Sequence, residues 1–305
     1  MDKTVAVIGL GKMGKNVALQ LLSKGYKVVA ANRSPEPINE LKQSGAAPAY
    51  SFEEAVKLLA PPRIVWIMVP PEAVDEVIEK IKPHTQSGDT IIDAGNSNYK
   101  ESARRHKELL QRGIHFLDAG CSGGPSGARN GMCIMVGGDE EIFKALEPLF
   151  KDVSVPEGVE YTGPAGSGHF VKMVHNAIEY GMMQSIGEGF ELLEQGPYKG
   201  LDLRKIAYLW NRGSVVRSYL VELVERALSK DPKLENIEGF VEDTGEGRWA
   251  TQAAIEHGVP FTGLSHALFA RFRSRKDSFS DKVLAALRNE FGGHAVKAKN
   301  KEAKS

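Results

Sequence analysis

The sequence predicts an α/β protein in which a doubly wound parallel sheet is followed by an all-α domain. Short β-rich runs alternate with helical patterns over residues 4–119, and such alternation is typical of βαβ units in a parallel sheet. A Gly/Pro-rich segment at 161–168 interrupts the alternation, and only helical patterns follow it. We therefore place a sheet domain at 1–165 and a helical domain at 166–305.

The elements of the first half are predicted from apolar, β-branched runs and from the amphipathic segments between them. We expect strands at 4–8, 27–31, 64–69, 90–93 and 115–119, with further edge strands at 132–136 and 159–161. Helices are expected between the strands at 13–24, 52–59, 73–81 and 99–111. In the second half, helical patterns occupy about 169–195, 202–211, 214–228 and 248–257, and a further pair lies between 262 and 291.

Composition limits the functional classes. The chain carries 39 Lys and Arg against 39 Asp and Glu, so no excess charge favours nucleic acid or an anionic membrane as a partner. Two cysteines exclude a disulfide framework and fit a reducing compartment. The chain starts without the layout of a signal peptide, and its longest apolar run, 64–69, is too short to span a bilayer. We therefore expect a cytoplasmic protein that acts on a small molecule.

A glycine-rich turn follows the first predicted strand and opens the first predicted helix. Residues 9–14 have the spacing G-x-G-x-x-G, whose glycines allow a tight turn and let the backbone approach a pyrophosphate at the helix N-terminus. This placement between a strand and a helix is typical of a Rossmann-type dinucleotide-binding domain. The cofactor site is assigned to the turn and to the ends of two later strands: Gly9, Gly11, Met13, Gly14, Val69 and Asn96.

The end of the second predicted strand bears on the choice between NADP and NAD. An NAD site usually has Asp or Glu there, which accepts a hydrogen bond from the ribose 2′-hydroxyl, but this chain has Asn32-Arg33-Ser34. Arg33 could pair with a 2′-phosphate, with Asn32 and Ser34 as hydrogen-bonding partners. The alternative is a solvated arginine in a loop. We favour NADP, and NAD stays open.

Residues 172–180 form the most informative stretch of the second half. On a helix, side chains three and four residues apart share a face, so five polar residues form one stripe: Lys172, His175, Asn176, Glu179 and Tyr180. Lys172 and Glu179 are separated by roughly 10 Å along the axis, a suitable distance for a base and an acid that address different carbons of one substrate. The alternative is a solvated face. A second, apolar stripe is expected to pack the helix against the protein: Val171, Val174, Ile178 and Met182.

Polar and glycine-rich loops follow two further strands, at the edge of the sheet where open α/β proteins bind ligands. One loop covers 93–98 and contains Asn96. The other contains Ser122-Gly123-Gly124, whose hydroxyl and amides could hold a carboxylate, although such a sequence is also common in ordinary turns. Cys121 beside it is expected to be a buried structural residue, because no base is paired with it.

The chain resembles the β-hydroxyacid dehydrogenases and, within them, the decarboxylating 6-phosphogluconate dehydrogenases in their short form. The motifs that carry the resemblance occur in order along nearly the whole chain, at 9–14, 32–34, 93–99, 122–124, 172–180, 247–249, 269–271 and 288–294. The segment 172–180 is the most specific, since related hydroxyacid dehydrogenases keep its lysine and asparagine but usually lack the residues equivalent to Glu179 and Tyr180.

The resemblance implies a role for each matching residue. Lys172 would be the base for the substrate 3-hydroxyl, and Glu179 the acid that protonates C1 of the product after carbon dioxide leaves. The sugar-acid end would be held by Asn96, Ser122, Gly123, Gly124, His175 and Asn176. Tyr180 and Arg271 would hold the phosphate. Arg288 and His294 match a tail that reaches a partner subunit's active site, which implies a homodimer or homotetramer with shared sites.

Two departures from the longer family members affect the phosphate site. Thr244 stands where those members have a phosphate-binding lysine, and Glu246 stands where they have a threonine. Phosphate binding is therefore expected to rely on Arg271 and Arg288, with Arg248 as a further candidate. The basic segment 271–276 could also suit nucleic acid, but a solvated basic face is the commoner reason for such a run.

The resemblance thus implies an oxidative decarboxylase of 6-phosphogluconate, a phosphorylated sugar acid. No metal is expected, because no His/Cys/Asp cluster has metal-ligand spacing. A non-decarboxylating hydroxyacid dehydrogenase or semialdehyde reductase is the nearest alternative, and it would share Lys172 and Asn176 but would not need Glu179, Arg271 or Arg288. A non-catalytic nucleotide sensor is a further alternative, which would need neither Lys172 nor Glu179.

Overall fold

The computed structural model describes residues 3–276 and 278–292. Eight strands form one sheet: β1 (Thr4–Ile8), β2 (Lys27–Ala31), β3 (Ala47–Ala49), β4 (Ile64–Ile67), β5 (Thr90–Asp93), β6 (His115–Ser122), β7 (Met132–Gly137) and β8 (Ser154–Gly163). Their order is β3-β2-β1-β4-β5-β6-β7-β8, and β7 runs antiparallel to β6 while the other neighbours are parallel. The chain therefore reverses its direction of winding between β1 and β4, where doubly wound sheets bind dinucleotides.

Helices cover both faces of this sheet. They are α1 (Lys12–Ser23), α2 (Pro35–Gln43), α3 (Phe52–Lys57), α4 (Val74–Ile81), α5 (Tyr99–Leu110), α6 (Gly124–Asn130) and α7 (Glu140–Val153). Alternate residues of β1 enter two different apolar clusters: Val5 and Val7 join one, and Ala6 and Ile8 join the other. The strand is thus buried on both faces, as expected in a doubly wound sheet.

The remaining described helices follow β8. They are α8 (Ser167–Gln195), α9 (Leu203–Trp210), α10 (Tyr219–Lys230), α11 (Glu246–Glu256), α12 (Thr262–Ser274) and α13 (Phe279–Gly292). The fold class inferred from the sequence, a mostly parallel doubly wound sheet followed by helices, is confirmed. No helix among residues 3–276 and 278–292 is long and apolar enough to cross a membrane.

Several elements of the first half were not predicted. Two of these elements are helices that contain proline, a residue that normally breaks helices: α2 begins Pro35-Glu36-Pro37, and α7 contains Pro148 in its interior. The prolines of α2 are tolerated because they lie in the first turn, where the amide that proline lacks would have no helical partner. The prediction of β7 as an edge strand was wrong, since it lies between β6 and β8.

The chain divides into two compact units. The first contains residues up to Ile178 together with Arg248–Ala253, and the second contains Glu179–Gly247 and the residues from Ala254 onward. The helix α8 begins in the first unit and ends in the second. Within the second unit, Phe190 of α8 meets Trp210 of α9 edge to face, with ring centroids 5.5 Å apart. The domain limits expected from the sequence, 1–165 and 166–305, stay a prediction.

Candidate active site

A buried carboxylate fixes the start of α8 against the sheet. Asp118 of β6 is fully buried, and its two oxygens accept hydrogen bonds from the backbone amides of Gly166 at 2.7 Å and His169 at 2.8 Å. Free amides at a helix N-terminus favour negative charge, so the carboxylate suits this position. The contact sets where α8 begins on the sheet.

Glycines let the backbones of strand and helix approach closely along the same face of β6. A Cβ atom on Gly120 would lie 2.3 Å from Cβ of Lys172 and 2.9 Å from the carbonyl oxygen of Gly168. A Cβ atom on Gly168 would lie 2.5 Å from the carbonyl oxygens of Asp118 and Met135. Real Cβ atoms do not approach other atoms so closely, so only glycine fits, and the absence of a side chain places Lys172 directly on the strand.

Lys172 lies in a group of polar side chains at the carboxyl end of β6. Lys172 is 7% exposed and Asn176 is 9% exposed. Nδ1 of His175 lies 3.4 Å from Nζ of Lys172 and 3.0 Å from Oδ1 of Asn176. On the other side of the ring, Nε2 of His175 lies 3.2 Å from Oγ of Ser122. The structure therefore brings together four residues that the sequence assigned to the site.

The expected orientation of α8 was wrong. Of the stripe that was expected to pack the helix down, Val171, Ile178 and Met182 are 38%, 48% and 41% exposed, and Val174 is half-buried. The buried face instead contains Lys172 and Asn176, with Met173 and Ala177 beside them. Helical periodicity shows which residues share a face but not which face meets the sheet, and Gly120 of β6 admits the polar one.

Cys121 precedes Ser122 on β6 and is buried, as expected. Burial raises the pKa of its thiol to about 12, although the nearby charge of Lys172 acts in the opposite direction. The thiol is therefore protonated at neutral pH, and the thiolate is the reactive form of cysteine. This agrees with a structural role for Cys121.

The glycine turn after β1 has the form that a bound dinucleotide requires. Gly9 has φ of +95°, and a Cβ atom there would lie 2.5 Å from the carbonyl oxygen of Met68. A Cβ atom on Gly14 would lie 1.9 Å from the carbonyl oxygen of Gly9. By contrast, a Cβ atom on Gly11 would meet nothing within 4 Å, and Gly11 caps α1 without a side-chain hydrogen bond. The N-terminus of α1 is thus open, and it fits a pyrophosphate.

The three residues after β2 lie close to this turn. Oδ1 of Asn32 accepts a hydrogen bond from the amide of Leu10 at 3.0 Å, and Nδ2 of Asn32 donates to Oγ of Ser34 at 3.0 Å. Asn32 therefore ties the glycine turn to the end of β2. Arg33 is exposed between Asn32 and Ser34. Val69 follows β4, and its Cγ1 atom would lie 2.6 Å from a Cβ atom on Gly9.

Two further loops at the carboxyl edge of the sheet, after β5 and after β6, contain residues that the sequence assigned to the site. Asn96 is exposed in the loop after β5. Gly123 and Gly124 have φ of +130° and +59°, and Gly123 caps α6. Both glycines thus adopt the left-handed region, which other residues rarely enter.

In the second unit, Tyr180 and Arg271 are in direct contact. The guanidinium carbon of Arg271 lies 3.5 Å from the centroid of the Tyr180 ring, and its Nη1 donates to the carbonyl oxygen of Glu242 at 3.0 Å. The hydroxyl of Tyr180 accepts from the amide of Thr244 at 3.3 Å. Thr244 in turn donates to the carboxylate of Glu246, which is 3% exposed. The two residues that depart from the longer family members therefore belong to this cluster.

For the remaining residues that were predicted for the site, the structure gives their position in the fold. Glu179 is half-buried at the beginning of the second unit. Arg248 lies in α11, in the part of that helix that belongs to the first unit. Arg288 lies in α13, and His294 lies outside the described residues.

Comparison with known proteins identifies the family. Residues 4–163 match the NAD-binding domain of 6-phosphogluconate dehydrogenase, and residues 168–305 match the C-terminal domain of the same enzyme. The chain belongs to the 6-phosphogluconate dehydrogenase family. The resemblance noted in the sequence and the assignment to NAD(P)-dependent oxidoreductases are thereby confirmed.

Individual members of the 6-phosphogluconate dehydrogenase family match the chain over most of its length. A putative 6-phosphogluconate dehydrogenase of Bacillus subtilis, YqeC, is 49% identical over 97% of this chain and 99% of its own. The NAD⁺-dependent decarboxylating enzyme of Haloferax volcanii is 41% identical, again over 97% and 99%. The solved 6-phosphogluconate dehydrogenase of Plasmodium falciparum, described with NADP⁺ and with 6-phosphogluconate, superimposes with a TM-score of 0.81 at 32% identity, over 98% of this chain and 67% of that one.

Proposed function

We propose that this chain oxidatively decarboxylates 6-phosphogluconate to ribulose 5-phosphate and carbon dioxide, with reduction of NADP or NAD. The observation that carries this proposal is the buried Lys172 of α8, which packs against β6 among Ser122, His175 and Asn176 in a chain that matches both halves of the family. A lysine in such a site is suited to proton transfer when its surroundings favour the neutral amine. Cys121 and Cys133 are free thiols, which fits a reaction in the cytoplasm.

Each proton transfer of the proposed reaction is assigned to one side chain, Lys172 or Glu179. The bound nicotinamide supplies the hydride acceptor for C3. Lys172 takes the proton of the 3-hydroxyl as the ketone forms, and returns a proton to the ketone oxygen when the C1–C2 bond breaks and carbon dioxide leaves. Glu179 then gives a proton to the carbon that had carried the carboxylate, which is C2 of the substrate and C1 of ribulose 5-phosphate, while Lys172 takes the proton of the enediol hydroxyl on the former C3 and the ketone forms again. A single lysine thus serves as base in the oxidation, as acid in the decarboxylation and as base again in the last step.

The substrate-binding residues are proposed from the family match. Asn96, Ser122, Gly123, Gly124, His175 and Asn176 would hold the sugar-acid end. Tyr180 and Arg271 would hold the phosphate. The ring of Tyr180 and the carbonyl oxygen of Glu242 both contact the Arg271 guanidinium, so the cation is already oriented. A planar guanidinium can grip a phosphate through two parallel hydrogen bonds.

A non-decarboxylating hydroxyacid dehydrogenase would share Lys172 and Asn176, but it would have no need of a phosphate group or of an acid at C1. The oriented Arg271 favours the phosphorylated substrate. The deciding assay measures carbon dioxide release and reduced cofactor together from 6-phosphogluconate, with NADP and NAD in parallel and 3-hydroxyisobutyrate as the comparison substrate. We expect equal amounts of the two products. Reduced cofactor without carbon dioxide would support the dehydrogenase alternative.

We expect Arg33→Ala to weaken NADP much more than NAD. The exposed guanidinium follows β2, where an acidic residue would mark an NAD site, and a lost charge-assisted hydrogen bond to a 2′-phosphate is worth about 1.5–3 kcal/mol. This corresponds to a rise of roughly 10- to 150-fold in KM for NADP, since about 1.4 kcal/mol is a factor of ten. Steady-state kinetics with both cofactors provide the measurement. Equal losses for the two cofactors would contradict a contact with the 2′-phosphate.

We further propose that the enzyme is a homodimer or homotetramer with shared active sites. Val171, Ile178 and Met182 expose an apolar stripe along α8, and such a stripe suits burial against a second copy of the chain. By the resemblance to the family, Arg288 and His294 would lie beside a neighbour's substrate. Each site would then draw residues from two chains.

A subunit-mixing experiment tests this sharing. Lys172→Met chains and Arg288→Ala chains should each be nearly inactive, and activity should partly return when the two are mixed and exchange subunits. In a mixed dimer one site carries both changes and the other carries neither, which restores one complete site. A monomer by light scattering, or no recovery after proven exchange, would reject shared sites. If Arg288 acts only within its own helix, Arg288→Ala alone would leave KM for 6-phosphogluconate unchanged.

A further inference from the structure

One buried arginine joins the loop after β5 to the first turn of α4. Arg105 lies in α5 and is 4% exposed. Its Nη1 donates to Oδ2 of Asp93 at 3.2 Å and to Oγ of Ser97 at 3.1 Å. Its Nε donates to Oδ1 of Asp75 at 2.8 Å. No reaction step proposed above uses this guanidinium.

The first set of these bonds surrounds Asn96. Asp93 ends β5 and is fully buried, and Ser97 is 3% exposed, whereas Asn96 between them is exposed. Oδ1 of Asp93 accepts from the amide of Gly95 at 3.1 Å, and Oδ2 accepts from the hydroxyl of Ser97 at 2.7 Å. The chain is therefore held on both sides of Asn96, and Arg105 completes this support through Asp93 and Ser97.

The second set reaches the segment that follows β4. Asp75 belongs to α4, and the hydrogen bond from Arg105 is the main cause that lowers the pKa of its carboxyl group. Arg104 also donates to Asp75, at 2.8 Å, so two guanidinium groups balance the carboxylates of Asp75 and Asp93. A Cβ atom on Gly95 would lie 2.8 Å from the carbonyl oxygen of Val69, so the loops after β4 and β5 also touch directly.

We propose that Arg105 is a positioning residue that fixes Asn96 for catalysis through Asp93 and Ser97, without touching substrate or cofactor. This inference rests on the proposed function, in which Asn96 helps to hold the sugar-acid end of the substrate. A lysine would keep the charge but would supply one compact ammonium group where the planar guanidinium serves three partners in two directions. A displacement of about 1 Å at a group that orients substrate can cost on the order of 10² in rate.

The variant Arg105→Lys tests the proposal, with Arg104→Lys as the matched control. Arg104 is on the same helix, but its side chain is 40% exposed and its bonds go to Asp75 and to two carboxylates of α5, not to the loop. We expect Arg105→Lys to lower kcat/KM for 6-phosphogluconate by about 10- to 100-fold. Arg104→Lys should stay within about twofold of wild type, as is usual for an exposed ion pair.

A double-mutant cycle with Asn96→Ala distinguishes positioning from general damage. If Arg105 acts through Asn96, Arg105→Lys should change kcat/KM by less than about threefold once Asn96 is absent, because coupled residues are not additive. A full additional loss in that background would overturn the proposal. Ser97→Ala removes one bond without leaving a buried charge unpaired, and it should produce a smaller loss in the same direction.

Amide hydrogen exchange provides a measurement that does not depend on turnover. In Arg105→Lys, exchange should become faster in the peptide containing 93–98 and remain unchanged in the peptide containing 172–180. Unchanged exchange at 93–98 would reject the role of Arg105. A wild-type protein that does not turn over 6-phosphogluconate would reject the proposed function, and the exchange result would still decide whether Arg105 holds the loop.

Discussion

Lys172→Met is expected to lower kcat for 6-phosphogluconate by about 10²- to 10⁴-fold, the range in which a general acid or base contributes to catalysis. The lysine is buried beside His175 where α8 packs against β6, and we propose that it handles the proton of the 3-hydroxyl. Methionine has a similar length and no titratable group. Cofactor affinity, measured by fluorescence titration, should be nearly unchanged, because the glycine turn after β1 is distant in sequence and is left intact.

Lys172→Arg provides the matched control for charge. Arginine keeps the positive charge but does not lose its proton in proteins, so it cannot act as a base. If Lys172 is the base, the arginine variant should be nearly as inactive as the methionine variant. Activity within tenfold of wild type for either variant would show that another group accepts the proton.

Gly120→Ala is expected to lower kcat by on the order of 10²-fold, although Gly120 carries no functional group. A methyl group there would lie 2.3 Å from Cβ of Lys172 and 2.9 Å from the carbonyl oxygen of Gly168, so α8 must shift on the strand. Overpacking of this kind also costs about 1–3 kcal/mol in the free energy of unfolding. Kinetics and thermal unfolding of the same sample separate the two effects.

Gly263→Ala is the control for this substitution. Gly263 lies in α12, and a Cβ atom there would meet nothing within 4 Å. Alanine favours helix over glycine by up to about 1 kcal/mol, so this variant should keep its activity and unfold at an equal or higher temperature. If Gly120→Ala behaved like Gly263→Ala, the close approach of β6 and α8 would have no part in placing Lys172.

The sequence was most informative where a local pattern is enough to define the structure. The turn at 9–14 requires glycine for its own backbone geometry, and the structure shows that requirement at Gly9 and Gly14. The parallel, doubly wound class of the sheet follows from the alternation of strands with helices, whereas the order of the strands becomes visible only in the structure. The edge position was assigned wrongly to β7, because no pattern within 132–136 shows whether another strand pairs beyond it.

The sequence was least informative where distant segments meet. Hydrophobic periodicity suggested that Val171 and Ile178 were buried, but which face of α8 is covered depends on Gly120, some fifty positions earlier in the chain. Asp118 and Arg105 were missed for the same reason, since their partners become visible only after folding. The association of Tyr180 with Arg271 was anticipated through the family resemblance rather than through any local pattern.

The helix α8 runs from one compact unit into the other, so the residues proposed for the reaction are divided between the two units. Lys172 belongs with the nucleotide-binding sheet, while Glu179, Tyr180 and Arg271 belong with the second unit. A chimaera of two relatives joined after Ile178, with Arg248–Ala253 kept from the first parent, would therefore retain the proposed oxidation base of one parent and acquire the proposed proton donor and phosphate ligands of the other. Recombination at this point would change which substrate is bound and how its oxidised form reacts further, while the residues proposed for the oxidation step stay the same.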